Sequence, residues 1–328
     1  MLLAGDIGGT KTALALFSSD AGPRRPVVEA TFPSGAYASL EAIVAQFLAG
    51  KEARLAQASF GIAGPVVDCQ AQVTNLPWQV DRHALSQVLQ APVLLLNDLE
   101  AIAHAVPSLA GSDLVTLNPG EPTPRGPVAI IAPGTGLGEA FLVWEAGRYR
   151  PYASEGGHAD FAPTTPTQVE LLSYLLARFG HVSYERVCSG RGLPNLYSFL
   201  KDHGRFAEPG WLREQLAAAD DPTPVIVQAA LEKKADLGAA ALDMFVAILG
   251  SEAGNLALKV MATGGVYLGG GIPPRILPRL KEAAFMQAFT RKGRFSELLA
   301  RVPVHVIANP RVALYGAACH GLEQLAGL

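Results

Sequence analysis

The hydrophobic pattern of this chain opens on two short apolar runs separated by a glycine pair. Leu2, Leu3 and Ile7 form the first, Gly8-Gly9 interrupt it, and Thr12–Phe17 resume it as a run rich in Ala, Leu and Phe. Such a pattern predicts a hairpin rather than a strand followed by a helix. Val27–Thr31 adds a third strand. Ser39 stands where a helix cap belongs, ahead of Leu40, Ile43, Val44, Phe47 and Leu48 at helical spacing. Ser59–Ala63 reads as a strand running into Gly64-Pro65, Asn75–Trp78 as a loop, and Asp81 as the start of a helix through Ala84, Leu85, Val88 and Leu89. Val93–Leu96 is a short buried strand ending on Asn97-Asp98, and a helix from Leu99 to Ala105 follows. Strands alternating with helices predict an α/β sheet whose chemistry sits at the carboxyl ends of its strands.

The same device returns after Pro107. Gly120–Pro127 is a Pro- and Gly-rich loop, Val128–Ala132 a strand, Gly134–Gly138 a glycine turn, and Ala140–Trp144 another strand. Two glycine hairpins in one chain predict a duplicated architecture. The expected small lobe is 1–108 with 307–328, and the expected large lobe 109–306. The region 166–263 reads as mostly helical, with Leu237, Ala240, Ala241, Met244, Phe245, Ile248 and Leu249 as a core stripe rather than a cofactor box. Gly264–Gly271 places a strand between glycines, Pro273-Pro274 should open a helix, and Val304–Ala308 is a last strand before a helix over about 311–325. There is no solenoid repeat.

Composition narrows the class. The 328 residues accommodate two domains, and 49% apolar with 17% charged residues suits a compact enzyme. Net charge is −3, and no basic run exceeds Arg24-Arg25 or Lys233-Lys234, so neither a nucleic-acid nor a membrane partner is expected. Cys69, Cys188 and Cys319 are scattered, without C-x-x-C spacing, which predicts reduced thiols, a cytoplasmic setting and no zinc site. Residues 1–17 carry no charged n-region, and Asp6 comes too early for a signal peptide. No uncharged apolar run is long enough to cross a membrane.

The first hairpin carries candidate chemistry. Gly5, Gly8 and Gly9 let amide N–H groups approach an anion, and Asp6 on the same loop suits Mg²⁺ held through its waters. Gly5–Thr12 nearly matches the P-loop, but Thr10 replaces its second glycine and no helix follows Lys11-Thr12, which excludes that motif. DIGGT followed by an apolar strand resembles instead the first phosphate loop of the sugar kinase, actin and heat-shock ATPase superfamily. In that setting Asp98, at a strand end, suits a base for a sugar hydroxyl attacking a γ-phosphoryl group, although aspartate is also a good helix cap. Glu155-Gly156-Gly157-His158 puts a carboxylate and an imidazole in one loop. They suit hexose hydroxyls or a metal, and a metal would need further ligands that the cysteines do not supply.

Six stretches resemble the bacterial glucokinase family in its order: GDIGGT (5–10), LNDLEAIA (96–103), APGTGLG (132–138), EGGHADFAP (155–163), HVSYERVCSGRGL (181–193) and GGVYLGGGIPPR (264–275). The resemblance implies an α/β, two-lobed hexokinase/actin-like fold with a ligand cleft between the lobes, transfer of the ATP γ-phosphoryl group to the 6-hydroxyl of glucose, and a homodimer. Asp98 would be the general base. Asn97, Glu155, His158 and Glu185 would hold the other hydroxyls. The segment Gly5, Asp6, Ile7, Gly8, Gly9 and Thr10, together with Gly134, Thr135, Gly136 and Gly138, would embrace the phosphates, with Asp6 near Mg²⁺. Gly270 and Gly271 would face the adenosine, and Trp78 and Gly136 would line the cleft. Lys11 and Arg191 depart from the family pattern and leave sugar preference open among glucose, mannose, fructose and glucosamine. The related repressor/kinase family adds a cysteine-rich zinc motif after its Glu-x-Gly-His element. Here the cysteine within reach is Cys188, about thirty residues on. With only Met1–Ala4 ahead of Gly5, a DNA-binding regulator is not expected. A non-catalytic sugar-binding protein is the remaining rival, and the intact Asp98 speaks against it.

Overall fold

The structure, a computed structural model, describes residues 1–204 and 206–327; Arg205 and Leu328, the latter the last residue of the expected small lobe, lie outside the described residues. In chain order the first elements are β1 (Leu2–Ile7), β2 (Lys11–Phe17), β3 (Pro26–Pro33), α1 (Leu40–Leu48), β4 (Gln57–Ile62), β5 (Val66–Val67), β6 (Gln70–Gln72), β7 (Gln79–Asp81), α2 (Arg82–Leu89), β8 (Val93–Asn97) and α3 (Asp98–Ala105). There follow β9 (Leu114–Asn118), β10 (Val128–Pro133), β11 (Leu137–Glu145), β12 (Arg148–Ser154), α4 (Pro166–Phe179), α5 (Leu193–Asp202), α6 (Gly210–Ala218), α7 (Pro222–Leu231) and α8 (Asp236–Val260). The last are β13 (Gly265–Leu268), α9 (Leu277–Leu280), α10 (Ala283–Thr290), α11 (Ser296–Ala300), β14 (Val304–Ile307) and α12 (Val312–Ala326). Two compact units emerge: Met1–Ser112 with Asn309–Leu328, and Asp113–Ala308.

The first unit is built on a sheet of order β3-β2-β1-β4-β8. Strands β1 and β2 pair as the antiparallel hairpin that the glycine break predicts, Leu2 opposite Phe17 and Ile7 opposite Thr12. Strand β1 then pairs in parallel with β4, and β4 with β8, which brings Ile7, Ile62 and Asn97 to one end of the sheet. β1 is a central strand covered on both faces, hence its largely apolar sequence, broken only by Gly5 and by Asp6 near its carboxyl end. Leu3, Ile7, Leu14, Phe60, Leu40 and Phe47 form the core on one side, while Leu2, Ala4, Ala15 and Phe17 pack against Leu314, Ala317 and Ala318 of α12 on the other. Helix α12 approaches α3 so closely that a Cβ on Gly316 would lie 1.6 Å from the carbonyl oxygen of Ala101. Ser39 and Asp81 cap α1 and α2 as expected, accepting from Ala42 N and from His83 N and Ala84 N. The predicted loop at 75–78 belongs to a hairpin region in which β5, β6 and β7 form a small separate sheet. Strands of two or three residues leave no readable periodicity.

The second unit repeats the plan. Its sheet runs β12-β11-β10-β13-β14-β9, so the first five strands follow the same chain order as the sheet of the first unit: third, second, first, fourth, fifth. Strand β10 pairs antiparallel with β11, Val128 opposite Leu142, and parallel with β13, Val128 opposite Gly265. β12, with alternating exposed polar residues, and the short edge strand β9 were not legible in the pattern. The stripe on α8 is core: Leu237, Ala241, Phe245, Ile248 and Leu249 are buried, and Ala240 and Met244 pack against them. Gly250 and Gly254, one turn apart on α8, touch the carbonyl oxygens of Phe285 and Phe289 and let α10 lie close. By length and composition α8 is apolar enough to cross a membrane, yet 72% of its most apolar stretch is buried inside the unit. Pro273-Pro274 do not open a helix. They head a turn, and α9 starts at Leu277 with Pro278 in its first turn, where a missing N–H costs no hydrogen bond.

Candidate functional site

At the carboxyl end of the first sheet, Asp98 lies close enough to Asp6 for its charge to be felt there. Burial, then Asp98, push the carboxyl of Asp6 up to about 6, while Lys11, itself exposed, pulls it down. Burial likewise raises Asp98, against hydrogen bonding from the amide of Leu99 and from Asn97. Asp98 is the first residue of α3, and its Oδ1 accepts from Leu99 N at 2.9 Å. The cap itself is Asn97. Its Oδ1 accepts from Leu99 N at 3.0 Å and its Nδ2 donates to the Gly64 carbonyl at 2.9 Å. Both ends of the Asn97 amide are therefore engaged in holding this corner.

The glycine turn is narrower than its motif. Gly5 sits inside β1, where a Cβ would meet Phe60 and Leu14, so it is a packing residue, and Ile7 buries its side chain. The turn proper is Gly8–Thr10, closed by Gly8 N donating to Lys11 O at 3.0 Å. Gly9 has no room for a Cβ against Thr74 O. Ser34, unmarked by any sequence signal, clamps it: its Oγ donates to Gly8 O at 2.7 Å and its N to Thr10 O at 3.0 Å. Trp78 is a core residue, 3% exposed, with its indole N–H donating to Tyr37 O.

In the second unit the corresponding turn is Gly134-Thr135-Gly136, closed by Gly134 N donating to Gly136 O at 2.9 Å; Gly138 already lies within β11. Gly190 N donates to Gly134 O and Arg191 N to Thr135 O, so the Ser189–Gly192 loop braces the turn, and the Arg191 side chain is exposed. Gly270, at φ +79°, presses on Pro133 O, where any Cβ would clash. Gly134, Thr135 and Gly271 open onto a cavity of about 560 Å³ whose far wall includes Pro224, Val227, Leu231 and Ile276, with Gln228 and Arg275 as polar groups. Its size and largely apolar wall suit a planar heteroaromatic ligand.

Beside this turn lie the sugar-loop candidates. Glu155 and His158 are exposed and come within 4.0 Å of each other. Their turn is joined to that of Glu185 by Tyr184 N donating to Ala159 O, and Glu185 Oε2 accepts from Leu137 N at 3.0 Å. Gly156 and Gly157 serve a need the sequence did not reveal. Cβ atoms there would strike Glu139 Oε2 and Leu137 O, so they are glycines because the loop lies flat on β11. Beneath them is a buried polar network. Glu139 is pushed up to about 7 by burial and by Glu252. Glu252 binds Lys259 and Asn255, and Asn255 binds Tyr184 and Lys292.

A sheet order used twice, with a glycine hairpin at the start of each copy and an aspartate after the third parallel strand of the first, defines a sugar kinase of the actin-like ATPase fold. The glucokinase family profile matches residues 3–324. A glucokinase of Nostoc punctiforme is 42% identical over 97% of this chain and 98% of its own length, and one of Chromobacterium violaceum is 40% identical over 99% and 90%. The crystal structure of a glucokinase from an Antarctic psychrotroph superposes with a TM-score of 0.84 at 32% identity, covering 98% of each chain. A ROK family glucokinase from Streptomyces griseus, in complex with glucose and AMPPNP, shares the fold at 20% identity, with a TM-score of 0.64 over 98% of this chain and 99% of its own. The chain belongs to the glucokinase family.

Proposed function

We propose that this chain is an ATP-dependent glucokinase that transfers the γ-phosphoryl group of ATP to the 6-hydroxyl of glucose, with Asp98 as general base. The observation that carries this reading is the pairing of Asp98 with the Asp6 turn at one end of the sheet of the first unit. A carboxyl raised by burial is a stronger base toward a hydroxyl proton than an exposed one. As the hydroxyl oxygen bonds to phosphorus and the bond to the bridging oxygen of ADP breaks, the hydroxyl proton passes to Asp98. Amide N–H groups of Gly8–Thr10 and Gly134–Gly136 are the donors available to the phosphates. Glu155, His158 and Glu185 offer acceptors and donors to the remaining hydroxyls, and Asn97 fixes the corner from which Asp98 projects. The cavity beside Gly271 suits the adenine.

The half-buried carboxylates of Asp6 and Asp98, the second disfavouring the charge of the first, fit a hard dication. Mg²⁺ held by Asp6 through its waters would supply neutralisation of phosphate charge. Three free thiols, two of them buried, accord with a reducing cytoplasmic setting, and the family resemblance suggests a homodimer, which gel filtration tests.

The test is glucose phosphorylation coupled to glucose-6-phosphate dehydrogenase, with mannose, fructose and glucosamine at equal concentration and Asp98→Ala as control. Turnover with glucose that is lost in the variant upholds the reading. Glucose binding without turnover, or preference for another hexose, overturns it.

A further inference from the structure

The first unit holds a cluster that the kinase chemistry does not use. Gly316 brings α12 against Ala101 of α3, and one turn further along each helix His104 and His320 stand face to face. Their ring centroids are 4.2 Å apart with the planes tilted by 45°. Glu323, three residues beyond His320, lies on the same face of α12, and its Oε2 is 3.7 Å from His104 Nδ1. One ligand atom from each of the three lies within 4.8 Å of the others.

We infer that His104, His320 and Glu323 form a site for a zinc-type transition-metal dication, with three protein ligands and an open fourth position. Tetrahedral bonds of about 2.0–2.1 Å place neighbouring ligand atoms roughly 3.3 Å apart, so small rotamer adjustments close the observed spacing onto one ion. Two imidazoles with one carboxylate form a borderline donor set that prefers Zn²⁺, Co²⁺ or Ni²⁺ over Mg²⁺. Access is built in, because the His104 side chain is 9% exposed while that of Glu323 is 42% exposed, so the carboxylate forms the solvent side. Unlike a thiolate zinc motif, this site uses no cysteine. Its position gives it a consequence: α3 begins at Asp98, so the metal ties the helix carrying the proposed base to α12.

The experiment uses the full chain, stripped with chelator and kept in excess Mg²⁺. Calorimetric titration with Zn²⁺ should show one equivalent bound, and Co²⁺ should give the intense visible absorption of a four-coordinate ion that Zn²⁺ then abolishes. Thermal unfolding should shift upward with Zn²⁺. Glu323→Gln, on the exposed side, should keep the metal-free unfolding temperature while weakening Zn²⁺ binding at least tenfold, and His104→Ala should lose the cobalt spectrum. No Zn²⁺ binding, or binding that both variants leave unchanged, overturns the site. If His104→Ala fails to fold, Glu323→Gln alone decides.

Discussion

The amide of Leu137 donates to Glu185 Oε2 at 3.0 Å, which sets a carboxylate over the second glycine turn. The same carboxylate occupies the space a Cβ on Gly136 would need, 2.4 Å away. The proposed sugar-binding and phosphate-binding parts of the second unit are thus mechanically joined. Glu185→Gln keeps an acceptor for Leu137 but removes the charge. A hydrogen bond to a charged group contributes about 1.5–3 kcal/mol, so kcat/KM for glucose should fall roughly 10- to 100-fold, mainly through KM. Gly136→Ala should mimic it by displacing Glu185. Steady-state kinetics over a glucose series checks both.

Asp98→Asn preserves shape and the acceptor for Leu99 N while removing the proposed base. Turnover should fall by about 10²–10⁴, the usual contribution of general base catalysis, with ATP affinity nearly unchanged. Activity assays paired with nucleotide titration separate the two quantities.

Asp6 titrates at about 6, so it loses its charge as pH falls through that value. With Asp6 holding Mg²⁺ as proposed, the Mg²⁺ concentration for half-maximal rate should rise by roughly tenfold per pH unit below about 6. Asp6→Asn should need more Mg²⁺ at neutral pH and lack this component of the pH dependence. Rates measured against Mg²⁺ at pH 5, 6 and 7 provide the check.

Glu139 holds its proton to about 7, against an ordinary 4.5, because it is buried beside Glu252. Between these values the folded chain binds more protons than the unfolded chain. The contribution of this group to stability is complete below about 4.5 and is lost as pH rises through about 7. Glu139→Gln copies the protonated form, so denaturant midpoints should match the parent at pH 5 and exceed it at pH 8.

Gly316 has no room for a side chain against Ala101 O. Gly316→Val must push α12 from α3 and should destabilise by about 1–3 kcal/mol or more, the usual cost of overpacking. A lowered unfolding temperature in the absence of added metal measures it.

Some of this could be read from residue order. The break at Gly8-Gly9, its return at Gly134–Gly138 and the end of β8 at Asn97-Asp98 gave both hairpins and the base candidate, because strand periodicity and glycine turns are local signals. The roles of individual residues were harder to read. Gly5 belongs to the phosphate motif by sequence but packs inside β1, Trp78 stands beside a motif yet fills the core, and Asn97 spends its amide on the corner. Ser34 and Glu139 carried no signal, since a lone serine or glutamate is usually a surface residue.

The chain by itself determined the alternation of strands and helices, the duplicated glycine hairpins and the family, all of which depend on neighbours in sequence. Only the tertiary structure decided which glycines are turns and which are close contacts, which carboxylates feel one another, and that His104 meets His320. These properties arise from burial and from distances between residues far apart in the chain, and spacing along a sequence encodes neither.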